Sequence, residues 1–128
     1  MNFHKKVTKN NYIREYITVL NGLLDLTPRE IDTLSTLIKI DIAWVPRRPS
    51  EIKHLLSTDN RRIAMKENNM NKSNFAKIIS KLQSMRLLIT SAEGGVILNE
   101  LLKPEINGKN KIEITFILDL NDVVQQTI

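Results

Sequence analysis

Seven basic side chains lie within residues 61–86, a segment that contains one acidic residue, Glu67. The segment therefore carries a formal charge of +6, and since the whole chain carries +5, the remaining residues sum to −1. The basic residues are Arg61, Arg62, Lys66, Lys72, Lys77, Lys81 and Arg86. Lys and Arg concentrated in one segment create a local positive field, which suits a polyanion such as nucleic acid or an anionic membrane surface.

Catalytic and metal-binding patterns are missing from the sequence. The absence of cysteine excludes disulfides, thiolate chemistry and zinc sites with Cys ligands. His4 and His54 lie fifty positions apart, without the short spacing of metal-ligand pairs. No paired carboxylates, nucleophile–base set or phosphate-binding loop stands out. We therefore expect a protein that is not an enzyme and that uses neither a metal nor a cofactor.

Length and composition favour a single globular domain. The chain has 128 residues, of which 41% are hydrophobic and 26% charged. Residues 1–10 are expected to form a flexible basic arm, residues 11–120 one domain and residues 121–128 a tail. No apolar run approaches eighteen residues and none follows the charged start, so we expect a cytoplasmic protein. Ile, Asn and Lys are abundant, and their AT-rich codons suggest a low-GC bacterium or its phage.

The N-terminal part predicts two helices. Apolar residues recur at helical spacing over residues 11–25, with Tyr12 and Tyr16 among them. A second helix begins after Thr27, because Pro28 suits the first helical position and Glu30 can reach back to the Thr27 N–H in a capping box. Its one-sided apolar face consists of Ile31, Leu34, Leu37 and Ile38.

The middle of the chain predicts a loop and two further short helices. Pro46 and Pro49 bracket Arg47-Arg48, which indicates a loop over residues 41–49. Ser50 followed by Glu51 predicts a short helix start, with Ile52, Leu55 and Leu56 as its apolar side. Residues 59–68 predict another helix, whose buried side is Ile63, Ala64 and Met65. Trp44 is expected to cover the core, and His4 and His54 are assigned no role.

Asn71 is a suitable cap for a helix that runs to about residue 85. Its apolar residues fall in one sector at about 100° per residue, and they are assigned to the core: Phe75, Ile78, Ile79, Leu82 and Met85. The opposite sector carries small, hydroxylic and basic side chains: Ser73, Ala76, Lys77, Ser80, Lys81 and Ser84. An ordinary solvated face is the alternative interpretation of Lys77 and Lys81.

Strand patterns follow the helix at residues 72–85. Two short apolar runs, at residues 87–89 and 96–98, flank Gly94-Gly95 and predict a hairpin. Pro104 and Asn107-Gly108 indicate a loop, and alternating apolar residues over 112–120 predict a half-buried strand. The fold class predicted is thus α+β and mainly helical, with a small C-terminal antiparallel hairpin or sheet.

Residues 70–89 resemble the recognition helix and first wing strand of winged helix-turn-helix proteins. The resemblance is carried by Met70 in the turn, the Asn71 cap, the small polar Ser73-Asn74, the helical apolar set, and Leu87-Leu88 before the wing. The helix start at Leu26-Thr27-Pro28-Arg29-Glu30 is similar to one in MarR-type regulators. Residues 99–104 look like those of phage and plasmid replication-initiator winged helices. Arg86 occupies the place of a glycine in the family pattern, and the wing tip, Glu93-Gly94-Gly95, carries no basic residue.

The resemblance implies that the helix at residues 72–85 enters the major groove of double-stranded DNA. That groove is about 12 Å wide, so small outward side chains help a helix to fit. Residues near the start of such a helix usually reach base edges, which makes Lys72, Ser73, Asn74, Ala76 and Lys77 the candidate base contacts. The candidate phosphate contacts are Arg61, Arg62, Lys66 and Lys81, with Arg47 and Arg48 as a second backbone clamp.

The role of such a protein is left open by the sequence. The leading expectation is a transcriptional regulator or a replication-initiation component. The alternative is a winged helix that binds other proteins, for instance as a structural part of a phage virion. A membrane-surface role is disfavoured, because the core requires the apolar face opposite the basic one. Residues 11–25 carry more apolar side chains than one packing face uses, which suggests a homodimer.

Overall fold

The computed structural model describes residues 4–104, 106 and 111–115. Within these residues the fold is α+β, with four helices followed by one two-stranded antiparallel hairpin. The helices are α1 (Tyr12–Leu24), α2 (Pro28–Ala43), α3 (Thr58–Glu67) and α4 (Lys72–Ser84). The strands are β1 (Leu88–Thr90) and β2 (Val96–Leu98), and a 3-10 turn follows at Glu100–Leu102. The predicted fold class is confirmed at this level.

The corner between α1 and α2 is built by local hydrogen bonds. Asp25 adopts a left-handed conformation, with φ of 58°, and ends α1. The Asn21 side chain then bonds to both the N–H and the carbonyl of Leu26. The predicted capping box is confirmed: Thr27 Oγ1 accepts from Glu30 N, and Glu30 Oε1 accepts from Thr27 N at 2.8 Å.

Helix α2 is the central element and is buried on most of its circumference. It packs against α1, α3 and β2. Its buried hydroxyls donate to carbonyls one turn earlier on the same helix, as in Thr33 to Arg29 and Ser35 to Ile31, both at 2.8 Å. Because these polar groups are satisfied within α2, the helix can be surrounded by apolar side chains without unpaired donors.

The prediction of a short helix that starts at Ser50 is wrong. Ser50 lies in a turn in which Glu51 N donates to Arg48 O, and no helix forms between Trp44 and Ser57. Residues 52–55 instead run beside β2, where Leu55 N donates to Val96 O at 2.8 Å. Leu55 and Leu56 are buried as expected, but Ile52 is exposed. A contact with a strand forty residues away overrides the local helix signal.

Helices α3 and α4 are joined by a tight turn. Met70 N donates to Met65 O and Asn69 N to Lys66 O, while Asn69 is left-handed with φ of 48°. This is a Schellman end, in which Asn is tolerated in the position that favours glycine. Of the three residues predicted as the buried side of α3, Ala64 is buried and Met65 half-buried. Ile63 is 45% exposed, because three consecutive residues span too wide a sector to share one helix face.

A second Schellman end links α4 to the hairpin. Leu87 N donates to Leu82 O and Arg86 N to Gln83 O, and Arg86 has φ of 60°. The chain then enters β1, which pairs with β2 in the register Leu88 to Leu98 and Thr90 to Val96. The predicted hairpin is therefore confirmed.

One hydrophobic core lies between the helices and the hairpin. It includes Ile17, Leu34, Leu37, Leu82 and Leu98, all essentially inaccessible to solvent. Ile114, in the C-terminal part of the chain, is half-buried and packs against this core. Ile112 forms only an isolated bridge with Ile106. Residues 116–120 of the predicted final strand, the Asn107-Gly108 turn and the tail at 121–128 lie outside the described residues.

Candidate nucleic-acid interface

The outward face of α4 begins at a capped helix start. Asn71 Oδ1 accepts from Asn74 N at 2.8 Å, so α4 starts where the sequence predicted. The remaining N–H groups of the first turn point out of the helix end and carry partial positive charge. No acidic residue lies between Lys72 and Ser84, and the helix start therefore adds to the positive field of its lysines.

All five predicted base contacts are exposed, and α4 brings them together in its first two turns. They are Lys72, Ser73, Asn74, Ala76 and Lys77. Neither Lys72 nor Lys77 forms an ion pair within the part of the chain that the structure describes. Ser80, Gln83 and Ser84 extend the exposed face along α4. The centre of this face is made of small side chains, which leaves the helix backbone open to close approach.

Lys81 lies at the edge of the α4 face and is tied to α2. Its Nζ is 2.8 Å from Glu30 Oε1, and the Glu30 side chain is only 10% exposed. Burial by itself raises the pKa of Glu30, but the hydrogen bonds from Lys81 and Thr27 outweigh it and hold that pKa below its ordinary value. A phosphate would have to compete with a nearby buried carboxylate for Lys81, so we leave this residue out of the candidate interface.

The three predicted phosphate contacts on α3 are exposed but differ in their partners. Arg61 Nε donates to Leu56 O at 2.6 Å, which fixes the side chain and leaves its charge unneutralised. Arg62 lies 3.4 Å from Asp59, in a pair that faces solvent on both sides and is therefore weak. Lys66 has no ion-pair partner among the described residues.

Arg47 and Arg48 lie on the loop that follows α2, and both are exposed. The loop is closed by two hydrogen bonds in which Glu51 takes part, once as acceptor and once as donor. Arg47 N donates to Glu51 Oε2 at 2.6 Å, and Glu51 N donates to Arg48 O at 3.0 Å. The Glu51 carboxylate thus bonds to the main chain.

Two residues near this loop were missed by sequence reasoning. His54 Nδ1 accepts from Val96 N at 2.9 Å and so takes the place of a main-chain acceptor beside β2. Gly95 packs so closely on the chain before α3 that a Cβ atom there would overlap the carbonyl oxygen of Lys53. The Gly94-Gly95 pair signalled a turn but not this close approach, and no local signal marks His54.

Helix α1 keeps a second, partly exposed apolar stripe. Tyr12 and Tyr16 are half-buried, while Val19 and Leu23 are 47% and 68% exposed. The Tyr16 hydroxyl donates to Leu101 O at 2.8 Å. The tyrosines therefore contribute to packing at the edge of the core, and the two aliphatic side chains continue their stripe into solvent.

No group of three or more His, Asp or Glu side chains is placed to hold a metal ion in the described part of the chain. None of the described helices is both long and apolar enough to cross a membrane.

Comparison with known proteins gives no significant match to a protein-family model, to a curated protein or to a solved structure.

Proposed function

We propose that this chain is a DNA-binding winged helix-turn-helix protein that acts as a transcriptional regulator or a replication-initiation component. In this proposal α3 and α4 form the helix-turn-helix, α4 is the recognition helix, and β1 with β2 is the wing. The base contacts are Lys72, Ser73, Asn74, Ala76 and Lys77, and the phosphate contacts on α3 are Arg61, Arg62 and Lys66.

The main support is the outward face of α4. It combines small side chains with Lys72 and Lys77, both exposed, on a helix without acidic residues. Lysines on an ordinary solvated helix usually alternate with acids that pair with them at helical spacing. Here Lys72 and Lys77 have no ion-pair partner among the described residues, while the opposite face is anchored in the core through Phe75, Ile79 and Leu82.

A titration of duplex DNA at several salt concentrations tests the proposal. We expect the wild-type protein to bind, with an affinity that falls steeply as salt rises. The Lys72→Ala/Lys77→Ala variant should bind about tenfold more weakly or worse at equal salt, because contacts to base edges are worth about 1–3 kcal/mol each. The control is Lys39→Ala/Lys103→Ala, which removes two exposed charges outside the interface. No binding at low salt, or equal losses in both variants, would refute the proposal.

A second candidate function is protein–protein contact, either in a homodimer through residues 11–25 or within a larger assembly such as a phage virion. The observation that favours it is the exposed continuation of the apolar stripe on α1. Tyr12, Tyr16, Val19 and Leu23 are spaced by four, three and four residues, which is the spacing of a coiled-coil seam. In an antiparallel pair about the middle of α1, each tyrosine would face an aliphatic side chain of the second copy.

A further inference from the structure

We infer that the turn at Arg47-Arg48 is a second phosphate-contacting site, which supplies the positive charge that the hairpin tip lacks. This inference rests on the proposed DNA-binding function and assigns a specific role to a loop outside the helix-turn-helix. The observations that support it are the closed geometry of the turn and the bonds between the segment that follows it, residues 52–55, and the hairpin.

The turn presents two guanidinium groups from an ordered backbone. Both arginines are exposed, and neither forms an ion pair within the residues that the structure describes. Glu51 closes the turn through the Arg47 N–H. A guanidinium can bind a phosphate through two parallel hydrogen bonds. An ordered backbone also lowers the entropy cost of forming those bonds.

The chain that follows the turn is fixed against the hairpin. Gly95 lies against the Lys53 carbonyl and the Ile52 side chain. Val96 exchanges two hydrogen bonds with this segment, since its carbonyl accepts from Leu55 N and its N–H donates to His54 Nδ1. The hairpin tip and the segment leading out of the arginine turn are therefore direct neighbours.

The chain that precedes the turn is fixed as well. Lys53 pairs with Asp41 near the end of α2, and its Nζ lies 5.5 Å from the centre of the Trp44 ring. Asp41 is buried, and the Lys53 side chain is 25% exposed, so the pair is partly shielded from solvent. The loop between Trp44 and Lys53 thus leaves and rejoins the body of the protein at one place, with the arginines at its outer end.

The hairpin tip itself cannot attract a phosphate. Residues 91–95 contain no Lys or Arg, and Glu93 is acidic and exposed. The acidic hairpin tip would repel a phosphate backbone, whereas the two exposed arginines would attract it. In this inference the positive charge comes from the loop whose following segment packs against Gly95 and Val96.

The test compares salt dependence among four proteins on one DNA duplex of about 20 base pairs, two helical turns. Each phosphate that a variant no longer neutralises should make the negative slope of log affinity against log salt shallower by about 0.9. We expect Arg47→Ala/Arg48→Ala to make that slope shallower by about 1.8 relative to wild type. We expect Arg47→Lys/Arg48→Lys and the Lys39→Ala/Lys103→Ala control to keep it. Urea unfolding of each variant shows that the fold is retained.

Failure of this inference and failure of the proposed function are distinguishable. If the wild type binds and Lys72→Ala/Lys77→Ala weakens binding, but the slope of Arg47→Ala/Arg48→Ala equals that of the control, this inference alone is overturned. If the wild type does not bind duplex DNA at low salt, the proposed function and this inference both fail. A slope change on duplex RNA of equal length that is absent on DNA would overturn the assignment to DNA.

Discussion

Arg86 holds a backbone conformation that costs an L-amino acid free energy. Its φ of 60° places it in the left-handed region, and it has to lie there because the Schellman end of α4 turns the chain into β1. Its carbonyl accepts from Asn99 Nδ2 at 3.0 Å, and its side chain is exposed. The residue therefore combines an unfavourable backbone with a side chain that the core does not need.

Replacing Arg86 with glycine should stabilise the protein. Relief of the left-handed penalty is worth about 1 kcal/mol, and the greater freedom of glycine in the unfolded chain offsets part of it. We expect Arg86→Gly to raise the free energy of unfolding by about 0.5 kcal/mol in urea titrations. Arg86→Ala removes the same charge but keeps a Cβ atom, so it should give no gain. Equal gains in both variants would mean that charge, not backbone conformation, is responsible.

Glu30 should make stability depend on pH. Its pKa is held below the ordinary value of 4.5 by Lys81 and Thr27, so the unfolded chain binds a proton more readily than the folded one. The stabilisation of the folded state by the Glu30 carboxylate is complete above about pH 4.5 and decreases as pH falls through the folded-state pKa of Glu30. At neutral pH we expect Glu30→Gln to unfold about 1 kcal/mol more easily, a value discounted because the Lys81 side chain is 40% exposed.

Urea midpoints measured from pH 7 to pH 3 check this expectation. The difference between wild type and Glu30→Gln should narrow on the acid side of pH 4.5. Asp25→Asn is a suitable control, because Asp25 is exposed and has no ion pair within the described residues. A difference that stays constant over the whole range would show that the carboxylate charge of Glu30 is not the source of its stabilisation.

At the scale of elements, the hairpin is held by a close approach that only glycine allows. A Cβ atom on Gly95 would overlap the Lys53 carbonyl oxygen. We expect Gly95→Ala to lower the free energy of unfolding by about 2 kcal/mol, because main-chain atoms on both sides must move apart. Gly22→Ala is the matched comparison: a Cβ there meets nothing within 4 Å. Since Gly22 lies inside α1, that change should stabilise by about 0.5–1 kcal/mol.

Urea unfolding of both glycine variants separates these effects. Destabilisation of Gly95→Ala together with stabilisation of Gly22→Ala is the expected pattern. A neutral Gly95→Ala would mean that residues 52–54 are not packed against the hairpin in solution. That result would also remove the support for the position of the Arg47-Arg48 turn.

The elements that were predicted well are those whose signals are local. The Thr27–Glu30 capping box, the Asn71 cap and the two short apolar runs on either side of Gly94-Gly95 are all signals that lie within short stretches of the chain. The helix predicted from Ser50 is absent because residues 52–55 pair with β2, and the local sequence does not encode that pairing. The same limit applies to the site: periodicity revealed the outward face of α4, but the ion pair that withdraws Lys81 joins residues 51 positions apart.

At the scale of the whole molecule, the homodimer proposed above would use the exposed side of α1. We expect the wild-type protein to form a dimer at high concentration in analytical ultracentrifugation. Val19→Glu/Leu23→Glu should make it monomeric with little change in urea midpoint, because both side chains are largely exposed. Thr18→Glu, on another side of α1, should leave the dimer intact. A monomeric wild type would contradict the homodimer.

Two ion pairs near opposite ends of α2 tie other parts of the chain to this helix. Glu30 holds α4 near one end, and Asp41 holds the base of the arginine turn near the other. Eleven residue steps of α-helix separate these two acidic residues by about 16 Å along the axis. Because one continuous helix joins the two ion pairs, α4 and the base of the arginine turn are held at a fixed separation along α2.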